Sequence, residues 1–128
     1  MGNSYIYFSN DRSAPYSDLV IVDGHYLFFS GLISADLETQ APVYGTITEE
    51  TNQIMSNLKT LLDRYGSDME HVIRIEILLR NFSERDEMNA AYAKHFKEGH
   101  LPARLCFGAV DLAGESKIEI MATAIKKQ

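Results

Sequence analysis

Val72-Ile73-Arg74-Ile75-Glu76-Ile77-Leu78-Leu79-Arg80 is the stretch that sets the architecture. Arg74 and Glu76 alternate with isoleucines, so the run predicts a strand with both charges on one face of a half-covered sheet. A helical pattern stands on each side of it. Upstream, Thr46-Ile47-Thr48-Glu49 has the capping-box form, and Ile47, Thr51, Ile54, Leu58, Leu61, Leu62 and Tyr65 recur at helical spacing until Gly66 stops the helix. Ser67–His71 makes a short turn. Downstream, Ser83-Glu84-Arg85-Asp86 opens a second helix with Met88, Tyr92 and Phe96 on one stripe, ended by Gly99 and Pro102.

The flanks supply more strands. Tyr5–Ser9 reads as a short strand and Asn10–Tyr16, with Pro15, as a loop. Leu19-Val20-Ile21-Val22 and Tyr26-Leu27-Phe28-Phe29-Ser30 flank Asp23-Gly24, a strong hairpin signal. From Leu32 to Gly45 the pattern is irregular and predicts a long surface loop. Residues 103–109 and 117–125 form two further runs, joined by a short loop and so expected to pair antiparallel, in a register the sequence leaves open. Three strands, helix, strand, helix, two strands predicts one α+β domain over 1–128, a mixed six-stranded sheet with two helices on one face. The other face then needs a cover, and a second copy of the same sheet is the simplest one.

Composition bounds the function. A chain of 128 residues, 45% hydrophobic and 23% charged, buries roughly two-thirds of its unfolded surface in a globular core. Its net charge of −6 opposes attraction to nucleic acid or anionic membrane. Cys106 is the single cysteine, which excludes an intrachain disulfide and fits a reducing, cytoplasmic setting. No apolar stretch reaches membrane-span length, and the start lacks a signal-peptide layout. Met1-Gly2 invites an acylation reading, but Ile6 stands where that motif needs Ser or Thr.

Arg104 and Glu119 are the candidates for chemistry, because each is a charge inside an apolar run, and a charge taken out of water needs a partner or a ligand. An arginine on a rigid strand presents a planar fork suited to a carboxylate, and Glu119 is suited to positioning or deprotonating a water. An odd-sum register would bring Arg104, Cys106 and Glu119 to one face. The alternative is a plain charge pair across a hairpin or a subunit contact. Cys106, beside Arg104, is read as an inert buried thiol rather than a nucleophile. His25, His71, His95 and His100 show no ligand spacing, so no metal is expected.

Ala14-Pro15-Tyr16, Phe29-Ser30-Gly31, Asn57-Leu58-Lys59, Asn89-Ala90-Ala91-Tyr92, and above all Pro102-Ala103-Arg104 and Lys117-Ile118-Glu119-Ile120 resemble the reactive intermediate deaminase family, RidA or YjgF, over nearly the whole chain. That resemblance implies a chorismate-mutase-like α+β fold assembled as a homotrimer with an inner barrel and sites in the clefts between subunits. It implies cofactor-free hydrolysis of imines and enamines such as 2-iminobutanoate and 2-aminoacrylate, released by pyridoxal-phosphate-dependent dehydratases, to 2-keto acids and ammonia. Carried onto this chain, Arg104 would bind the substrate carboxylate and Glu119 would hold the attacking water. The backbone at Cys106 and Gly31 would contact the substrate's nitrogen and carboxylate ends, while Tyr16, Ser30 and Asn89 would shape the cleft.

The chain departs from the family pattern at Ala14, Leu32, Leu101 and Leu112-Ala113, and at Glu50, where Gln is frequent. These changes alter the cleft walls and leave the substrate open. A non-catalytic keto-acid or small-carboxylate binder of the same fold is the competing reading. A third, endoribonuclease or translation inhibitor, is opposed by the acidic balance and the absence of a basic groove.

Overall fold

The computed structural model describes residues 4–11 and 13–128, so the Met1-Gly2 pair lies outside the described residues. In chain order the strands and helices are β1 (Tyr5–Phe8), β2 (Leu19–Val22), β3 (Tyr26–Phe29), β4 (Leu32–Ile33), α1 (Ile47–Arg64), β5 (Val72–Leu79), α2 (Arg85–Ala93), β6 (Ala103–Phe107) and β7 (Ile118–Ile125). This is the expected α+β layout with one addition. The two-residue β4 opens the stretch read as a loop, and it pairs with Glu119 and Ile120 of β7.

Local chemistry explains the ends of the elements. Thr46 caps α1 by accepting from the Glu49 amide at 3.1 Å while the Glu49 carboxylate accepts from the Thr46 amide at 2.9 Å, satisfying two of the amides that a helix start leaves free. Gly66, at φ 83, takes the left-handed turn that ends the helix, and the Ser67 amide returns to the Leu62 carbonyl at 2.8 Å. Asp23 and Gly24, both at positive φ, form the tight turn between β2 and β3. A short 3-10 turn at Phe82–Glu84 precedes α2. Phe96 falls just beyond α2 yet still packs on Tyr92, with ring centroids 4.9 Å apart.

The strand order is β1-β2-β3-β7-β5-β6, with β4 added on β7. Residues 103–109 and 117–125 therefore do not form a hairpin. β5 lies between them, parallel to β6 and antiparallel to β7. The cause is the crossover through α2, which makes β5-α2-β6 a parallel unit and leaves the far side of β5 for β7. The loop after β6 must then cross the end of β5. There Val110 donates to the Leu79 carbonyl and Arg80 to the Lys117 carbonyl, at 3.2 and 3.0 Å. The Arg80 guanidinium also donates to the carbonyls of Ser116, Leu112 and Gly114 at 2.8 to 3.1 Å.

Side-chain alternation divides the sheet into two faces. Leu27, Ile75, Ile77, Ile118, Ile120 and Ala122 point to the helices and are buried against Ile54, Met55, Leu58 and Leu62 of α1 and Met88 of α2. Each large buried aliphatic contributes roughly 1.5–3 kcal/mol. On the opposite face Phe28, Leu105, Phe107 and Met121 remain exposed, Phe107 at 56%. No helix among the described residues is long and apolar enough to cross a membrane.

Candidate functional site

Arg104 stands on β6, in register with Ile75, and so faces the helices. β6 is the edge of the sheet, which leaves this side chain half-buried rather than enclosed. Its Nη1 donates to Oδ1 of Asn89 at 2.7 Å, and its guanidinium lies 5.0 Å from the centre of the Tyr92 ring. Asn89 and Tyr92 are three apart on α2 and therefore neighbours on its surface. Among the described residues no carboxylate forms an ion pair with Arg104. The guanidinium is thus oriented by an amide and a ring that leave its positive charge uncompensated.

Cys106 follows two residues later on the same face of β6. Burial pushes its thiol pKa up, and the pull of Arg104 and Arg85 offsets this only in part. A neutral thiol is a poor nucleophile, in keeping with the inert reading. Burial likewise pushes the Tyr92 phenol up to about 12, against the opposing pull of Arg104. The Tyr92 hydroxyl is buried and has no hydrogen-bond partner among the described residues.

Glu119 lies on the other face. It is registered with Leu78 of β5 and Ile33 of β4, where it borders a small apolar pocket of about 150 Å³ with Leu105, Phe107 and Met121. Its carboxylate rests over Gly31, where an added Cβ would collide with Oε2. Any side chain at position 31 displaces this carboxylate. Ser30, next to Gly31, donates its hydroxyl to the Ser17 carbonyl at 2.5 Å and its amide to the Asp18 carbonyl at 2.9 Å, which ties the segment after Tyr16 to the end of β3. Tyr16 itself is 61% exposed.

The expected residues therefore fall into two half-sites. Arg104, Cys106 and Asn89 gather on the helix side of β6, whereas Glu119 lies over Gly31 on the open face; Ser30 and Gly31 also border a pocket with Leu61 and Arg64 of α1, and Tyr16 is not brought into contact with either group. The antiparallel pairing expected of the two C-terminal runs, which in an odd-sum register would have put Arg104, Cys106 and Glu119 on one face, does not occur, because β5 intervenes and the registers with it place Arg104 and Glu119 on opposite sides. Nor do the two form a charge pair within the chain. Sequence reasoning also missed Arg80, whose role appears only once the loop crosses β5, and the depth of Glu50. That carboxylate is fully buried, accepts from the amides of Gly45 and Lys117 at 3.1 and 2.9 Å, and lies 3.6 Å from Lys117 Nζ. Glu50 so anchors the start of β7, two residues before Glu119.

A wide groove of about 820 Å³ lies elsewhere, between the C-terminal half of α1 and the residues after α2. Its Lys59, Lys94 and Lys97 are matched by Asp63, Asp68 and Glu70. It offers no unbalanced charge comparable to Arg104.

A RutC family protein of Pyrococcus horikoshii is 34% identical over 113 residues, covering 88% of each chain. A human protein named 2-iminobutanoate/2-iminopropanoate deaminase is 33% identical over 112 residues, covering 88% of this chain and 80% of its own. The solved structure of a YjgF family member from Neisseria meningitidis superposes with a TM-score of 0.83 at 28% identity, covering 98% of this chain and 97% of that one. The profile of the endoribonuclease L-PSP family matches residues 9–126, and the chain belongs to that family, which takes in the YjgF and RidA proteins.

Proposed function

We propose that this protein hydrolyses small carboxylate-bearing imines and enamines, of the 2-iminobutanoate and 2-iminopropanoate type, to 2-keto acids and ammonia at clefts between copies of the chain. The observation that carries the reading is Arg104, an oriented guanidinium that pairs with no carboxylate among the described residues. Such a fork suits the carboxylate of a 2-imino acid. The names borne by the human and other relatives support the same class of substrate.

A single chain holds Arg104 and Glu119 on opposite faces of its sheet, so one ligand meets both only when a neighbouring copy supplies the second. The exposed Phe28, Leu105, Phe107 and Met121 give such a copy an apolar face to cover. A homotrimer with the open faces turned inward meets both requirements. In each cleft Arg104 and Asn89 come from one subunit and Glu119, Gly31, Ser30 and Tyr16 from the next.

The chemistry asks little of the protein. Water held by Glu119 adds across C=N, its oxygen bonding to the imine carbon and a proton passing to nitrogen. Collapse of the resulting carbinolamine breaks the C–N bond, forms the keto acid carbonyl and releases ammonia. The imine carbon is already electrophilic, so anchoring and water orientation account for the acceleration, and no cofactor takes part. Backbone groups at Cys106 and Gly31 orient the nitrogen and carboxylate ends.

The test is decay of 2-iminobutanoate generated in situ by a threonine dehydratase. Wild type is expected to accelerate decay, and Arg104→Ala to lose most of that acceleration through a higher KM. Glu119→Gln is expected to lower kcat while leaving 2-oxobutanoate binding in place. Binding without acceleration in wild type would favour a small-carboxylate binder instead.

A further inference from the structure

Arg104 is not the only uncompensated guanidinium on the helix side of β6. Arg85, the first residue of α2, is exposed and lies over the Phe82 ring, 5.7 Å from its centre. Phe82 in turn packs so closely on Gly108 that an added Cβ there would collide with its side chain. Gly108 follows β6 directly, two residues beyond Cys106. At the other end of the same strip, Asn89, one helical turn after Arg85, holds Arg104. α2 and β6 thus run past each other, with Arg85 beside Gly108, Asn89 beside Arg104, and Cys106 between. At about 3.3 Å per residue the strip is roughly 13 Å long along the backbone, within which two long arginine side chains can converge on one small ligand.

Among the described residues neither guanidinium forms an ion pair. This holds although the chain carries a net charge of −6 and Arg85 is followed by Asp86 and Glu87. Each arginine rests instead on an aromatic ring, Phe82 or Tyr92. Stacking leaves the in-plane N–H donors of a guanidinium free to meet an oxyanion. The Cys106 thiol between them is kept neutral by burial and feels both cations, and the Glu84 carboxylate next to Arg85 forms no ion pair with either guanidinium among the described residues.

Resting on the proposed imine hydrolysis, we propose that the preferred substrate is a short dicarboxylic 2-imino acid, the imine of an acidic amino acid, with Arg104 taking the carboxylate beside the imine and Arg85 the distal one. Arg85 is then the specificity-determining residue. A monocarboxylic imine leaves its donors facing water.

The experiment compares kcat/KM for 2-iminoglutarate, generated by an amino-acid oxidase, with that for 2-iminobutanoate, in wild type, Arg85→Gln and Arg85→Lys. Wild type is expected to favour 2-iminoglutarate. Arg85→Gln should lower the ratio of the two constants about tenfold, the loss of one charge-assisted contact, and Arg85→Lys should restore part of it. An unchanged ratio in Arg85→Gln, or a wild type that prefers 2-iminobutanoate, overturns the inference. If wild type hydrolyses neither imine, the proposed activity has failed, and calorimetry with 2-oxoglutarate and 2-oxobutanoate decides the rest. A 2-oxoglutarate advantage that disappears in Arg85→Gln upholds the two-cation anchor, whereas equal affinities or no binding overturn it.

Discussion

At the scale of single residues, two charges on opposite faces of the sheet carry the account: Arg104, held by Asn89 and the Tyr92 ring, and Glu119, whose carboxylate rests over Gly31. Arg104 and Glu119 stood out because a charge in an apolar strand needs a reason. Which face each one takes depends on the register of β5 with β6 and β7, a long-range pairing that alternation alone does not determine. The Gly31–Glu119 contact was likewise invisible until β4 was found against β7. From it follows a prediction: Gly31→Ala displaces the carboxylate and lowers kcat on 2-iminobutanoate about as much as Glu119→Gln does. Retained activity would remove Glu119 from the reaction. Tyr92 supports Arg104 through its ring, while its buried hydroxyl has no partner among the described residues. Since an orphaned polar group costs stability, Tyr92→Phe is expected to raise stability by up to about 1 kcal/mol in urea unfolding with turnover preserved; a loss of similar size would reveal a hidden partner for that hydroxyl.

At the scale of elements, α1, β2, β3 and β5 were readable from local signals, namely the capping box, the Asp-Gly turn and the apolar alternation. The C-terminal strands were found but wrongly joined. Their short connection suggested a hairpin, yet β5 separates them because α2 carries the chain across to a parallel strand. Arg80 makes that route possible by donating to three carbonyls of the crossing loop. Arg80→Ala leaves those acceptors without their charged donor and should destabilise the fold by about 2–4 kcal/mol in chemical denaturation. A change below about 0.5 kcal/mol would place Arg80 among ordinary surface positions.

At the scale of the whole molecule, the uncovered apolar sheet face and the divided site point to the same assembly. Phe107, 56% exposed beside the Glu119 pocket, belongs to the surface that a second copy covers in the proposed assembly. Phe107→Asp is therefore expected to yield a folded monomer in sedimentation analysis, with turnover lost alongside assembly. An active monomer would refute the shared cleft. The most direct test is complementation, in which Arg104→Ala and Glu119→Gln chains, each nearly inactive alone, are unfolded, mixed in equal amounts and refolded together. If every cleft draws Arg104 from one subunit and Glu119 from the next, random mixing regenerates about a quarter of the native sites. Recovery of about that fraction of wild-type imine hydrolysis is the predicted result, and no recovery from chains shown to have co-assembled would contradict it.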